Sequence, residues 1–409
     1  MPSILLISTL NTKGEETAYL RDRLKALGSE IITMDLSMQE GSLWKAEIPP
    51  RNVAEAGGGK WEEILSSTDR AKSTEVMIRG AIKKAKELWE RGEIQGVIGI
   101  GGSTGSLMAT EVMRALPFGV PKLMISSTAA LPGLSTRYIG TGDIMLFHSV
   151  IEISGLSDLL KNVLDRAALS MHEMARGQMS SIRTDTDRKR IAMTMLGPCE
   201  GCAHRVREAL EREGLQVIGF SAAGIGDRAM DEMILQGLFH GVVDLAPGGI
   251  GEHMFGGMRD AGPQRIEAAC SVGIPQVITL CSVNHLTIRK SKYKPSDYQR
   301  PMYHLDRYRT WLRTTEEELY NIGKEFGKKL NRAKAEVVIL FPQKGWSSVD
   351  RPGNPTYNPE QDRIFLKGLE ENLTNNNIEI IEVDANLEDK EFSDALISAA
   401  KRLFLNRKE

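Results

Sequence analysis

Ile98-Gly99-Ile100-Gly101-Gly102-Ser103-Thr104-Gly105-Ser106 is the stretch whose reading decides the fold. The apolar run from Gly96 to Ile100 has strand character and stops at two glycines and a Ser/Thr pair. Leu107, Met108, Val112, Met113 and Leu116 then recur at spacings of three and four, the period of a helix. Strand, glycine-rich turn and helix start together bring backbone N–H groups and a positive dipole end close to any anion placed there. A plain tight turn in an α/β sheet reads the same way. The spacing matches neither G-x-x-x-x-G-K-[ST] nor G-x-G-x-x-G, so the turn is not a standard nucleotide fingerprint.

Upstream, Ile4-Leu5-Leu6-Ile7-Ser8 predicts a parallel strand. A helix follows with Leu20, Leu24 and Leu27 on one face and Gly28 as its stop, and then a strand over residues 31–34 ending at Asp35. Residues 11–15 fall at the carboxyl end of the first strand, the edge where doubly wound sheets bind ligands. Lys13 there can neutralise a phosphate; Glu15 and Glu16 can hold a metal or cap the helix. Gly57-Gly58-Gly59-Lys60 has no preceding strand and no following Ser/Thr, and predicts a surface loop. Helices are predicted over about residues 73–91 and 151–176. The strand at residues 120–125 ends in Ser126-Ser127-Thr128, hydroxyls suited to phosphate, to ribose or to an ordinary turn. Asp143 suits Mg²⁺, a sugar hydroxyl or a helix cap.

A shift of 186 positions carries Ser8-Thr9-Leu10 onto Thr194-Met195-Leu196, and Leu20, Leu24 and Gly28 onto Val206, Leu210 and Gly214. Gly119-Val120-Pro121 repeats as Gly273-Ile274-Pro275, and Gly101-Gly102 finds a counterpart in Gly248-Gly249. The expectation is α/β: two Rossmann-like domains, doubly wound with mainly parallel sheets, related by internal duplication. They span residues 1–180 and 181–409, with a polar linker at 180–190. The second half adds Cys199-Glu200-Gly201-Cys202, compatible with structural, redox or metal roles. Gly248-Gly249-Ile250-Gly251 is a candidate backbone anion site. His240, His253 and His285 are further polar candidates. The segment 343–358 is expected over the second sheet's edge.

The 409 residues carry a net charge of −2, which gives no general attraction to nucleic acid or an anionic membrane. No apolar run reaches the ~18 residues of a membrane span. Four cysteines make no disulfide framework, and a reducing cytoplasm is the expected location.

Leu10-Asn11-Thr12-Lys13-Gly14-Glu15-Glu16 resembles the L-D-T-K-G-E-E opening of the Tm-1-like ATP-binding family, also called UPF0261. Gly101 to Ser106 resembles its G-G-S-G-G-T turn. Gly140-Thr141-Gly142-Asp143, Ala261-Gly262-Pro263-Gln264-Arg265 and Arg313-Thr314-Thr315 are similar to further family landmarks. The resemblance implies ATP, with or without Mg²⁺, in the first domain and a homodimeric assembly. The site residues so implied are Asn11, Thr12, Lys13 and Gly14, then Gly101, Gly102, Ser103, Thr104 and Gly105, then Ser126, Ser127 and Thr128, then Gly140, Thr141 and Asp143. In the second half the family's F-H-A-T-G, T-T-T-E and a later Asp are replaced by Phe220-Ser221-Ala222-Ala223-Gly224, Ala246-Pro247-Gly248-Gly249 and Asn284. That domain is therefore expected to hold a remodelled site, taking a small ligand or a protein partner. Two alternatives to a nucleotide-binding protein stand beside it. One is an ATP-dependent enzyme on a small metabolite, with Glu15, Asp143 or Asp350 as its carboxylate. The other is a regulatory protein with a protein partner, as resemblance to a plant antiviral protein suggests.

Overall fold

A computed structural model describes residues 1–177 and 188–405. The chain divides into two compact units, Met1–Thr186 and Asp187–Glu409. Most of the expected linker lies outside the described residues.

The first unit runs β1 (Ser3–Ser8), α1 (Leu10–Ala26), β2 (Glu30–Asp35), α2 (Pro50–Ala56), α3 (Trp61–Ser66), α4 (Arg70–Glu90), β3 (Gly96–Gly101), α5 (Ser103–Arg114), β4 (Lys122–Ser126), α6 (Leu134–Ile139), β5 (Met145–His148) and α7 (Asp158–Gly177). Its five strands are all parallel, in the order β2-β1-β3-β4-β5. Strand alternation sorts the core. Ile4 and Leu6 pack with Leu20, Leu24, Leu160 and Leu164 of α1 and α7. Leu5 and Ile7 pack with Met77, Ala81, Met108 and Val112 of α4 and α5. Both faces are covered, which is why β1 and β3 read as unbroken apolar runs rather than alternating ones.

The Gly57 segment is the expected surface loop, a short turn between α2 and α3, and its first glycine is also a packing residue. A Cβ at Gly57 would lie 2.1 Å from the Val76 carbonyl, and one at Gly80 1.8 Å from that of Val53. Paired glycines thus let α2 press backbone to backbone on α4. The last helix starts at Asp158 rather than at 151, so residues 149–157 form a loop at the carboxyl ends of the strands.

The second unit runs β6 (Arg190–Met195), α8 (Glu200–Arg212), β7 (Gln216–Ser221), α9 (Ile225–Leu235), β8 (Gly241–Asp244), α10 (Gly249–Phe255), α11 (Glu267–Val272), β9 (Gln276–Ile278), β10 (His285–Leu286), β11 (Met302–His304), β12 (Thr310–Arg313), α12 (Glu316–Leu330), β13 (Val337–Pro342), α13 (Pro359–Glu370), β14 (Ile378–Val383) and α14 (Lys390–Leu405). Six parallel strands lie in the order β14-β13-β9-β8-β6-β7. Its first four strands, β6 to β9, repeat the arrangement of β1 to β4, which is the architecture the internal repeat predicts. A small antiparallel sheet, β10-β12-β11, is added after β9 and has no counterpart in the first unit. A capping box opens α12: Glu318 N–H donates to Thr315 Oγ1 (3.2 Å) and Thr315 N–H to Glu318 Oε2 (2.8 Å). Among the described residues, no helix is long and apolar enough to cross a membrane.

Candidate functional site

In the order β2-β1-β3-β4-β5 the direction of winding switches between β1 and β3. The crevice beyond their carboxyl ends is where an open α/β sheet receives ligands. Two helix N-termini meet that edge, and they differ in what their N–H groups do.

The start of α1 is already satisfied by protein atoms. Leu10 N–H donates to Asp35 Oδ1 (3.0 Å) and Asn11 N–H to Ser37 Oγ (3.2 Å). Thr12 and Lys13 N–H both reach the Thr9 carbonyl. Asp35 is buried and also accepts from Ser37 and Ser42. Gly14 is a packing residue, since a Cβ there would lie 2.8 Å from Leu43 Cδ1, while its carbonyl accepts from Trp44 Nε1.

The start of α5 is unspent. Its first backbone bond is Ser106 N–H to the Gly102 carbonyl (2.8 Å). The N–H groups of Ser103, Thr104 and Gly105 have no acceptor among the described residues. Ser103 and Thr104 are exposed. Gly102 has φ −80°, which any residue adopts, and a Cβ there would find its nearest neighbour, Ser127 Oγ, at 3.9 Å. Neither backbone conformation nor packing requires glycine at 102, and its bareness leaves the space over the helix end open. Gly101 differs: a Cβ there would press on Gly105 Cα at 3.1 Å.

Behind the turn, buried hydroxyls hold it in place. Ser106 Oγ donates to Ser126 Oγ (2.7 Å), which accepts from Thr128 N–H (3.2 Å). Thr128 Oγ1 meets Tyr138 OH (2.9 Å), and that phenol donates to the Ser103 carbonyl (3.3 Å). Ser126 and Thr128 thus position α5. Ser127 points along the edge, its Oγ donating to Glu152 Oε1 (3.3 Å).

Lys13 interrupts α1 with non-helical φ/ψ and reaches the Ile153 carbonyl, with Glu152 Oε1 at 3.8 Å. The chain Lys13–Glu152–Ser127–Gly102 spans the crevice. Glu152 and Ile153 were missed by sequence reasoning because a helix was expected to begin at 151. The exposed, left-handed Val150 (φ 66°) marks the turn that frees them.

Gly140, Thr141 and Asp143 are not brought to this edge. They belong to the connection from α6 to β5, at the amino ends of the strands. A helix of twelve residues, about 18 Å, separates that end from Gly102. A Cβ at Gly140 would meet Arg114, in the last turn of α5, at 2.9 Å. Asp143 accepts from Lys122 Nζ (2.6 Å) and Gly119 N–H (2.7 Å). Lys122 is buried, and burial lowers its pKa while Asp143 holds its charge. A structural ion pair accounts for Asp143.

In the second unit the matching turn is closed. Residues 248–251 are buried; a Cβ at Gly248 would lie 2.4 Å from Ser282 Oγ, and one at Gly249 2.5 Å from Ala261 Cβ. Protein therefore fills the space that an anion at Gly248-Gly249 would need. The C-x-x-C helix start is occupied too: Cys202 N–H donates to Glu388 Oε1 (2.9 Å), a carboxylate at the dipole end. Cys199 and Cys202 are buried, and burial pushes the Cys202 thiol up to about 12, the reverse of an activated thiolate. His240 Nδ1 accepts from Arg190 N–H and His253 Nδ1 meets Asp260 Oδ1, so both serve local structure. Among the described residues, no three His, Cys, Asp or Glu side chains converge on a metal position. A cavity of about 380 Å³ lies between α9 and α11, walled by Arg228, Asp231, Leu235, Pro263 and Ala268. Beneath it, buried Arg265 binds Asp227 (3.1 Å) and Asp244 (2.6 Å), with Asp231 at 3.6 Å.

Comparison with known proteins covers both units. The model of the "Uncharacterised protein family (UPF0261) N-terminal domain" matches residues 2–180, and that of the corresponding C-terminal domain matches residues 188–404. A "UPF0261 protein" of Clostridium tetani is 34% identical over 401 residues, covering 98% of this chain and 98% of that protein. The "ToMV resistance protein Tm-1(GCR237)" of Solanum lycopersicum is 27% identical over 421 residues, covering 97% of this chain and 55% of that protein. Against a Methanocaldococcus jannaschii UDP-GlcNAc 2-epimerase, the TM-score is 0.26 at 8% identity, over 68% of this chain and 83% of that one; at that score the likeness carries no argument.

Proposed function

The chain belongs to the UPF0261 family, and we propose that its first unit binds a nucleotide, ATP by the family resemblance, with the phosphates at the start of α5. One observation carries this reading. Of the matched strand–turn–helix units, the α5 turn alone combines unspent N–H groups with an unfilled space over them. The same places at α1 and α8 are satisfied by Asp35, Ser37 and Glu388, and the Gly248 turn is filled by Ser282.

The N–H groups of Ser103, Thr104 and Gly105 would face the phosphate oxygens, with the exposed Ser103 and Thr104 hydroxyls beside them. Ser127 adds a hydroxyl from the end of β4. Lys13 adds a cation at the far side of the crevice, held in reserve by Glu152 and the Ile153 carbonyl. A bound triphosphate supplies the negative charge that this edge is arranged to meet. The homodimer implied by the resemblance is part of the same proposal and is tested by sedimentation.

Calorimetric titration with ATP-Mg²⁺ tests the site in wild type, Lys13→Ala and Gly102→Val. Saturable binding weakened in both variants is the expected outcome. Equal affinity in Gly102→Val and wild type, or no heat with any phosphate ligand, would remove the assignment.

A further inference from the structure

The second unit contains a buried set of oxygen atoms that its own hydrogen bonds do not satisfy. It lies where the loop after β9, the loop after β13 and the first turn of α13 meet. The Asn284 amide donates to Asp350 Oδ2 (2.8 Å) and Asp362 Oδ1 (3.0 Å), drawing two carboxylates to one point. Arg313 binds Asp362 Oδ1 and the Thr356 carbonyl, and its Nη1 lies 3.8 Å from Asp350 Oδ1. Around this junction, Asn284 Oδ1, Asp350 Oδ1, Asp362 Oδ2, Thr356 Oγ1 and Ser347 Oγ have no hydrogen-bond partner among the described residues. All five side chains are 2% exposed or less. Leaving even one such group unpaired costs on the order of 1–3 kcal/mol, a cost that a partner shared by groups around one junction would offset.

Charge says what that partner is. With both ionised, as above neutral pH, two carboxylates face one guanidinium and one negative charge is left over. Arg259 is spent on Glu252 (2.7 Å). The unpartnered atoms are carboxylate, amide and hydroxyl oxygens, which are hard ligands, and no thiolate or imidazole completes a transition-metal set.

We propose that Asn284, Ser347, Asp350, Thr356 and Asp362 form a site for one monovalent alkali cation, Na⁺ or K⁺, which neutralises the excess charge and ties the loop after β13 to α13. This site is independent of the nucleotide reading. It also accounts for an interior segment, 279–287, in which every residue is buried to 4% exposure or less; such burial of largely irregular backbone is tolerated where internal partners replace water.

The test is thermal unfolding of the full chain in NaCl, KCl or tetramethylammonium chloride at equal ionic strength, in a buffer well above neutral pH. The expected result is a saturable rise of about 5 °C with one alkali cation over the organic cation. Thr356→Val keeps the shape and removes one ligand. It should leave the tetramethylammonium midpoint unchanged and weaken the alkali response severalfold. Asp362→Asn should abolish the response. Equal midpoints in the three salts would overturn the proposal in favour of a proton or water at the site. Stabilisation by Mg²⁺ or Ca²⁺ alone, or an unaltered response in Thr356→Val, would overturn it as well.

Discussion

The same substitution at two matching turns should have opposite consequences. At Gly102 a new methyl group meets nothing nearer than 3.9 Å, and φ is ordinary. Alanine caps a helix less well than glycine, by roughly 0.5–1 kcal/mol, while restricting the unfolded chain returns ~0.4–1 kcal/mol. Gly102→Ala should therefore leave stability within about 0.5 kcal/mol of wild type. At Gly248 the methyl would sit 2.4 Å from Ser282 Oγ and 2.5 Å from its carbonyl. Ser282 already holds a left-handed φ of 61° and cannot retreat easily. Overpacking of this kind costs about 1–3 kcal/mol, and the strained neighbour puts Gly248→Ala at the upper end. Urea unfolding followed by tryptophan fluorescence separates the two, since Trp44, Trp61 and Trp89 report the first unit and Trp311 and Trp346 the second. The stable Gly102→Ala protein should also lose phosphate affinity by about tenfold or more, since each N–H bond to a charged oxygen is worth ~1.5–3 kcal/mol. Equal destabilisation by the two alanines would refute the contrast between an open and a closed turn, and with it the placement of the ligand at α5.

Arg265→Met should destabilise the second unit by about 3–5 kcal/mol, because it strands the Asp227 and Asp244 carboxylates in the interior; equilibrium denaturation checks this. Burial pushes Asp231 from the ordinary aspartate value of 3.8 up to about 7, against the pull of Arg265. The folded state then binds the extra proton, so stability should fall as pH rises from about 4 through 7, and Asp231→Asn should flatten that slope in denaturation curves across the range. The Cys202 thiol, buried and raised to about 12, should resist iodoacetamide in the native protein at mildly alkaline pH and react once urea unfolds it, as mass spectrometry would show.

The sequence was informative wherever one local rule governs. Unbroken apolar runs in β1, β3 and β13 report strands covered on both faces, and Thr315 with Glu318 reports a helix start. The turn at Gly101-Gly102 was legible for the same reason. Glu152 was not, because the leucines after it continue a helical period that actual helix only takes up at Asp158. Asp143 was misplaced because nothing local tells which end of the sheet a short connection occupies. Its partner Lys122, also inside an apolar strand, is the trace of that ion pair.

Apolar periodicity and the internal repeat were enough to determine two doubly wound units, since burying both faces of a parallel sheet leaves a periodic imprint on every strand and helix. The fate of each matched turn was decided only in three dimensions. Gly101-Gly102 and Gly248-Gly249 look equivalent as sequence, yet one stands open beside Ser127 and the other is plugged by Ser282. Helix ends carry the same unspent N–H groups everywhere. Whether Asp35, Glu388 or a ligand satisfies them depends on side chains that arrive from distant parts of the chain, and no local pattern records that arrival.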